Sequence, residues 1–522
     1  MKNKLMTAWE AVQLIKDGHT ISSGGFAGSG HPEEITLTLE KYFLKTGHPK
    51  DLTLVCTAGQ GDGKNLGLNH LAHQGLIKRV IGGHWNLMPK LGKMVLENKI
   101  EAYNFPLGMI SHLYRDIAAG KPGTVSHVGL HTFVDPRVDG GKLNSRTTED
   151  LVELIHLSGK EWLFYKAFPI HVAILRGTTA DAKGNITLEK EIGTLEMLSM
   201  AQAAKNSGGI VIAQVSRVID RINTSPWLVK IPGMMVDAIV VASPENHHQT
   251  YAEVYNPAYC KHQGDQLIHL ERMALDHRKV ICRRASMEVV SQSIVNLGIG
   301  IPEGIASVTD EEGIRDQMIL TLEAGAIGGV PAPGLSFGAT VNPEAIIDQG
   351  AIFDFYDGGG IDMAFLGMAQ VDRHGNVNVS KFGSRVAGAG GFINITQNSK
   401  VVAFCGTFMA GMQKIEVGDG KISIIEEASH QKFIDQVEHI TFNGGYAKKC
   451  GHRVLYITER AVFEMRAEGV TLIEIAPGLD LQKDILDHMG FKPAIAPDLK
   501  LMDERIFYEK LMGLATQVKS GS

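Results

Sequence analysis

Two stretches of this sequence hold residues whose types and spacing can do chemistry. In the first, Glu323 ends the apolar run Met318-Ile319-Leu320-Thr321-Leu322 and is followed by Ala324-Gly325-Ala326-Ile327-Gly328-Gly329. Open α/β sheets bind ligands beyond the carboxyl ends of their strands, which is where this carboxylate falls. With an ordinary pKa of about 4.3, a glutamate is ionised at neutral pH and can attack a carbonyl without a general base. The glycines after it let backbone approach a bulky ligand. Position alone leaves two other readings open, a solvated strand-end glutamate and a helix cap. The second stretch is Gly298-Ile299-Gly300-Ile301-Pro302. A helix starting after Pro302 would aim its first N–H groups at an anion. Neither this loop nor Gly28-Ser29-Gly30 completes G-x-G-x-x-G, because Glu303 and Glu33 stand at the last position, and no Walker A sequence occurs. A structural strand-to-helix turn stays open as a reading here.

These residues need a scaffold, and the sequence describes one. Thr7 and Glu10 have capping-box spacing, and Ala8, Ala11, Val12 and Ile15 share one helical face, with Gly18 as the stop. Short apolar runs at 52–55, 172–175, 210–213 and 238–242 alternate with helical stretches. Strands of this length between helices predict α/β architecture with a largely parallel sheet.

The plan occurs twice. Gly28-x-Gly30-x-Pro32-Glu33 returns 270 residues later as Gly298-x-Gly300-x-Pro302-Glu303, after a helical stripe of Ile281, Ala285 and Val289. Residues 52–59 align with 318–325 at an offset of 266, and Thr57 then occupies the position of Glu323. Asp181-x-x-Gly184-Asn185 matches Asp372-x-x-Gly375-Asn376 at an offset of 191, each a hairpin turn with glycine at positive φ. The predicted fold is α/β, with two homologous open α/β domains. The first spans 1–272, with an insertion near 100–165, and the second spans 276–522. The polar stretch 259–278 is the expected linker.

Composition narrows the function. Glycine supplies 59 of 522 residues with no three-residue period, so the excess belongs to loops and not to a collagen-like repeat. A net charge of −6 gives no basic footprint for nucleic acid and no polybasic membrane segment. No apolar run reaches the ~18 residues of a membrane span, and the N-terminus lacks a signal-peptide core, so a cytoplasmic location is expected. Cys56, Cys260, Cys282, Cys405 and Cys450 form no CxxC pair, so neither a disulfide framework nor a zinc site is implied. His70, His73, His247 and His248 lack metal-site spacing and are expected to be surface or structural. Trp227, Met234 and Met235 are expected in the core, the segment near 189 on a solvated face, and 503–514 as a C-terminal helix.

Several stretches resemble the family I coenzyme A transferases. Residues 17–32, with Gly24-Gly25-Phe26 and Gly30-x-Pro32, look like the family's first signature. Residues 295–302 resemble the loop that opens its second half. Glu323 falls at the family's nucleophilic glutamate. Gly358-Gly359-Gly360-Ile361-Asp362, Gly388-Ala389-Gly390-Gly391 and residues 472–478 are similar too. The likeness covers nearly the whole chain and is greatest to the single-chain acetate/propionate branch. Many family members carry Ser-Glu-Asn-Gly at the nucleophile, where this chain has Leu322-Glu323-Ala324-Gly325, which makes dicarboxylate and 3-oxoacid substrates less expected.

The resemblance implies an alpha-subunit-like first half fused to a beta-subunit-like second half, with the active site in the cleft between them. It implies ping-pong transfer of CoA between acyl-CoA and a short-chain carboxylic acid through a glutamyl-CoA thioester on Glu323. The loop Gly298, Ile299, Gly300, Ile301 and Pro302 would contact CoA. Each tetrahedral intermediate needs oxyanion donors. The candidates are the backbone of Gly390 and Gly391 and the side-chain amide of Gln60. Phe26, Ala27 and residues 104–109 are candidates for lining the acyl pocket. Coenzyme A is expected as substrate with no tightly bound cofactor and no metal, and a homo-oligomer, a tetramer by resemblance, is expected. A thioester hydrolase on the same fold is the alternative. A non-catalytic ligand sensor would need a DNA-binding or partner module, and no segment supplies one.

Overall fold

The capping box forms as the spacing predicts. Thr7 Oγ1 accepts from Glu10 N at 3.2 Å, and Glu10 takes the Thr7 N–H at 2.8 Å. The helix it opens, α1 (Ala8–Val12), is short, and Ala11, Val12 and Ile15 are buried beneath it. The computed structural model describes residues 4–261, 263 and 270–516.

The chain divides into two compact units whose borders differ from the two sequence halves. The first takes the described residues of 1–264 together with Leu322–Asp354 and Gly383–Asn394. The second takes those of 265–321, Phe355–Phe382 and the described residues from Ile395 onward. Glu323 and the 388–391 loop, expected in the second domain, therefore belong to the first unit. The reason lies in the hydrogen bonds of that loop, described below.

The first unit is built on a seven-stranded sheet. Its strands are β1 (Thr20–Ser23), β2 (Leu52–Ala58), β3 (Ile77–His84), β4 (Glu101–Asn104), β5 (Val172–Arg176), β6 (Ile210–Val215) and β7 (Ala238–Val241). Their order is β7-β6-β5-β1-β2-β3-β4, and every pairing is parallel. Strands covered on both faces read as continuous apolar runs, and β5 is buried at every residue. α2 (Leu107–Ala118) and an antiparallel sheet of Gly123–Ser126, Val152–Leu157 and Lys160–Lys166 fill the predicted insertion.

In the second unit the strands are β8 (Ser293–Leu297), β9 (Met318–Thr321), β10 (Met363–Gly367), β11 (Val401–Cys405), β12 (Arg453–Ile457), β13 (Ala461–Arg466), β14 (Gly469–Ile475) and β15 (Ala494–Leu501). They run β9-β8-β10-β11-β12-β13-β14-β15, parallel as far as β12. β13 then pairs antiparallel on both sides.

The repeat extends to single hydrogen bonds. Asp181 Oδ1 accepts from Lys183 N at 2.9 Å and Asn185 N at 3.0 Å, and Asp372 Oδ1 accepts from His374 N and Asn376 N at the same distances. Asn185 then receives Gly233 N at 2.9 Å, as Asn376 receives Gly444 N at 3.2 Å. Gly184 and Gly375 hold φ of 88° and 72°, the left-handed values this turn requires.

Four expectations are corrected. Residues 503–514 form no α-helix: the described backbone has the 3₁₀ turn Glu504–Phe507 and the start of another at Leu514. Buried side chains satisfy that backbone instead: Arg283 donates to the carbonyls of Ile506, Tyr508 and Lys510, and Glu312 accepts from Met512, Gly513 and Leu514 N. Trp227 is 86% exposed on a 3₁₀ turn, and Met234 is 84% exposed. The segment near 189 is only partly a solvated face: Lys190 is exposed and Glu189 half-buried, but Glu191 is buried against Arg176 at 2.9 Å. His70 is structural as expected, held between Glu33 at 2.7 Å and Glu40 at 2.6 Å.

Candidate active site

Glu323 stands two residues past the end of β9, on a turn closed by Gly325 N to Leu322 O at 2.9 Å and Leu322 N to Ala326 O at 3.0 Å. The turn needs Gly325 at a φ of 106°. It presents Glu323 half-buried. Gly391 lies against that side chain: a methyl group there would sit 3.0 Å from both Cγ and Oε1 of Glu323. The two sequence-predicted residues, 68 positions apart, are therefore brought together.

The 388–391 loop is pinned to the carboxyl ends of β3 and β4. Gly388 bridges His84, Trp85 N donates to Ala387 O at 2.8 Å, and Gly390 N donates to Gly83 O at 2.8 Å. Asn104, fully buried at the end of β4, accepts Ala389 N on Oδ1 at 2.9 Å. Its Nδ2 reaches the carbonyls of Gly82 at 2.8 Å and Gly83 at 2.5 Å. The first turn of α2 joins the same network, with Leu107 N on Gly390 O at 2.9 Å and Gly108 N on Asn394 Oδ1 at 3.2 Å. A helix start must find acceptors for its first N–H groups, and here Gly390 of the loop and Asn394 of the helix Phe392–Asn398 supply one each.

This bonding corrects part of the expected oxyanion set. The Gly390 N–H is engaged by Gly83, so it is not presented to a ligand. Gln60 is corrected for the same reason. It is fully buried, and Nε2 lies 2.8 Å from Ala58 O and 3.2 Å from the carbonyls of Ser23 and Gly25. Its Oε1 accepts from Ser23 Oγ at 3.0 Å and faces His31 Nδ1 at 3.1 Å. Burial pushes the His31 pKa down to about 4, leaving the ring neutral. Gln60 thus ties the ends of β1 and β2 together.

Thr57, the repeat partner of Glu323, is buried in β2 and donates to Glu196 at 2.8 Å. Of the expected pocket residues, Phe26 and Ala27 are buried, and Phe26 packs on Phe337 with ring centroids 6.1 Å apart. Asn104 is a bracket for the loop and its amide does not line a pocket.

In the second unit, β8 has β9 on one side and β10 on the other, the strand reversal at which open sheets bind ligands. The 298–302 loop leaves from this point. Gly298 N donates to Phe365 O at 2.8 Å, Gly300 takes a φ of 94°, and Ile299 is exposed. A helix, Gly304–Glu311, follows as the sequence predicts.

His84 ends β3, and its side chain lies over Gly390. Among the described residues no group of three or more histidine, cysteine or acidic side chains is placed to hold a metal, and no helix is long and apolar enough to cross a membrane. All five cysteines are free thiols.

The family model described as coenzyme A transferase matches residues 5–242. The caffeate CoA-transferase of Acetobacterium woodii is 47% identical over 519 residues, covering 98% of this chain and 99% of that one. The acetate CoA-transferase YdiF of Escherichia coli K12 is 44% identical over 511 residues, covering 98% and 96%. A solved structure of the acyl-CoA transferase YdiF from E. coli O157:H7, a thioester complex with CoA, superposes with a TM-score of 0.93 at 42% identity, covering 99% of this chain and 98% of that one. Its apoenzyme gives a TM-score of 0.94 at 43% identity, with the same coverage. The fold, the near-complete coverage and the shared identity agree: this chain belongs to the coenzyme A transferase family and moves CoA between an acyl-CoA and a carboxylate.

Proposed function

We propose that the chain transfers CoA from a short-chain acyl-CoA to a short-chain acid of the acetate, propionate or butyrate type, through a glutamyl-CoA thioester on Glu323. The observation that carries this reading is the Glu323 carboxylate on a strand-end turn, with the Gly391 backbone against it. A carboxylate oxygen of Glu323 attacks the thioester carbonyl carbon. The C–S bond breaks, CoA leaves as the thiolate, and an acyl-glutamyl anhydride remains. The thiolate then attacks Cδ of Glu323. The anhydride C–O bond breaks, the acyl group departs as a carboxylate carrying one oxygen from Glu323, and the glutamyl-CoA thioester is left. An incoming acid runs the same steps in reverse.

The anhydride lies uphill, so binding of the remote CoA moiety must supply energy to reach it. The 298–302 loop is assigned to that binding, and the Gly391 backbone to the developing oxyanion. The E. coli relative described as a thioester complex with CoA supports a covalent route. One relative is named for acetate and another for caffeate, so the acid is the variable part of the exchange. No cofactor beyond CoA is required, and a cytoplasmic homo-oligomer, a tetramer, is the proposed working form.

Acceptor dependence tests the reading. With acyl-CoA alone the enzyme should release CoA only in trace amounts. Added acetate, propionate or butyrate should start turnover with parallel double-reciprocal plots. A panel of C2 to C6 acids, straight and hydroxylated, with caffeate beside them, ranks the acceptors. CoA release at a comparable rate without any acid contradicts the proposal and marks a hydrolase.

A further inference from the structure

Asn104 is fully buried at the end of β4, and its side chain joins the end of β3 to the loop that lies on Glu323. Its backbone is fixed first. Residue 104 pairs with Gly82 of β3, and its N–H donates to Gly141 O at 2.8 Å. The amide then makes three bonds. Nδ2 donates to the carbonyls of Gly82 at 2.8 Å and Gly83 at 2.5 Å, and Oδ1 accepts Ala389 N at 2.9 Å. Two carbonyls on one side and an N–H on the other fix which way the amide faces.

The Gly83 carbonyl is a shared point, because it also accepts Gly390 N at 2.8 Å. Ala389 and Gly390 are thus each held by their N–H, one by the Asn104 side chain and one by a carbonyl that the same side chain binds. Gly391 follows them, against the Glu323 side chain. Two residues span at most about 7 Å, so a shift at Ala389 is carried to Gly391. An asparagine meets these demands and its nearest isosteres do not. Aspartate keeps the acceptor for Ala389 but sets an oxygen against the Gly82 and Gly83 carbonyls. Leucine keeps the shape and loses all three bonds.

We propose that Asn104 is a positioning residue for the chemical step: its amide sets the height of Gly391 against Glu323, and with it the geometry in which the carboxylate attacks. All three of its side-chain bonds go to the protein, so its contribution is to the rate of attack and not to the binding of acyl-CoA. The proposal rests on Glu323 being the nucleophile.

The test is single-turnover formation of the covalent CoA adduct from acyl-CoA in the absence of acid. It is read as a maximal rate and a half-saturating acyl-CoA concentration, on folded enzyme well below its melting midpoint. A misplacement of about 1 Å costs on the order of 10²-fold in rate, so Asn104→Leu should lose about 10- to 100-fold in the maximal rate, with half-saturation within about threefold of the parent. Asn104→Asp should lose a comparable factor at pH 8. As pH falls, burial favours protonation of the new carboxyl, which regains an O–H donor for one carbonyl. The rate of Asn104→Asp relative to the parent should therefore rise between pH 8 and pH 6, while that of Asn104→Leu stays level, a recovery that packing alone would not produce. A parent-like maximal rate in Asn104→Leu overturns the proposal, as does a loss expressed only in half-saturation. Should Asn104→Leu fail to fold, Asn104→Asp decides alone: an unslowed rate at pH 8, or a relative rate level from pH 8 to pH 6, overturns it. Glu323→Ala distinguishes the two readings: an adduct that survives it removes the nucleophile assignment itself. An adduct lost in Glu323→Ala but unslowed in Asn104→Leu removes only the role of Asn104.

Discussion

Gly391 and Glu323 lie against each other, and a methyl group on Gly391 would sit 3.0 Å from Glu323 Oε1, so the carboxylate would have to shift to admit it. Such an approach is tighter than ordinary van der Waals packing allows. The carboxylate is the mobile partner, since the loop under Gly391 is fixed by Gly83, Trp85 and Asn104.

Gly391→Ala should therefore displace the carboxylate and leave the fold intact. The carboxylate must give by a few tenths of an ångström, a fraction of the ~1 Å misplacement that costs on the order of 10²-fold in rate. Stopped-flow release of CoA from acyl-CoA should slow by less than that order, with the melting midpoint little changed. An unchanged rate would show that the contact does not position Glu323.

Gln60→Ala separates a bracket from a catalyst. Truncation leaves the carbonyls of Ala58, Ser23 and Gly25 without their shared donor, and buried groups left unsatisfied cost about 1–3 kcal/mol each. The melting midpoint should fall by several degrees. Adduct formation per folded enzyme should stay within about threefold of the parent, far from the 10²-fold cost of a lost oxyanion donor. A large rate loss at unchanged stability would restore the catalytic role.

Glu196 makes stability depend on pH. Burial raises its pKa from 4.5 to about 7, against the hydrogen bond from Thr57. The folded protein then holds this proton more tightly than the unfolded chain does. Its contribution to stability is full below pH 4.5 and is lost as pH rises through about 7. Glu196→Gln keeps an acceptor for Thr57 and cannot ionise, so its melting midpoint should exceed the parent's more at pH 8 than at pH 5. The same difference at both pH values would contradict the assignment.

Much of this is legible in the sequence. The repeated Asp-x-x-Gly-Asn turn is local chemistry, so two hairpins with matching hydrogen bonds could be foreseen from Asp181 and Asp372. Glu323 was legible as a strand-end carboxylate. The engagement of Gln60 and Gly390 was not, because their partners Ser23, Ala58 and Gly83 are neighbours only once the parallel strands are laid side by side. The packing of His84 on Gly390 escaped for a related reason: the two lie over 300 residues apart in the chain. Trp227 and Met234 were misplaced because apolar type says nothing about a turn that projects into solvent. The contiguous-halves division missed that long-range hydrogen bonds, and not chain order, assign residues 383–394 to the first unit.

The most direct measurement is intact-protein and peptide mass spectrometry after incubating the enzyme with acyl-CoA and no acceptor acid. The account predicts a CoA-sized adduct on the peptide that holds Glu323, discharged by added acetate and lost in Glu323→Ala together with nearly all turnover. An adduct that maps to another residue, or that persists in Glu323→Ala, would contradict it.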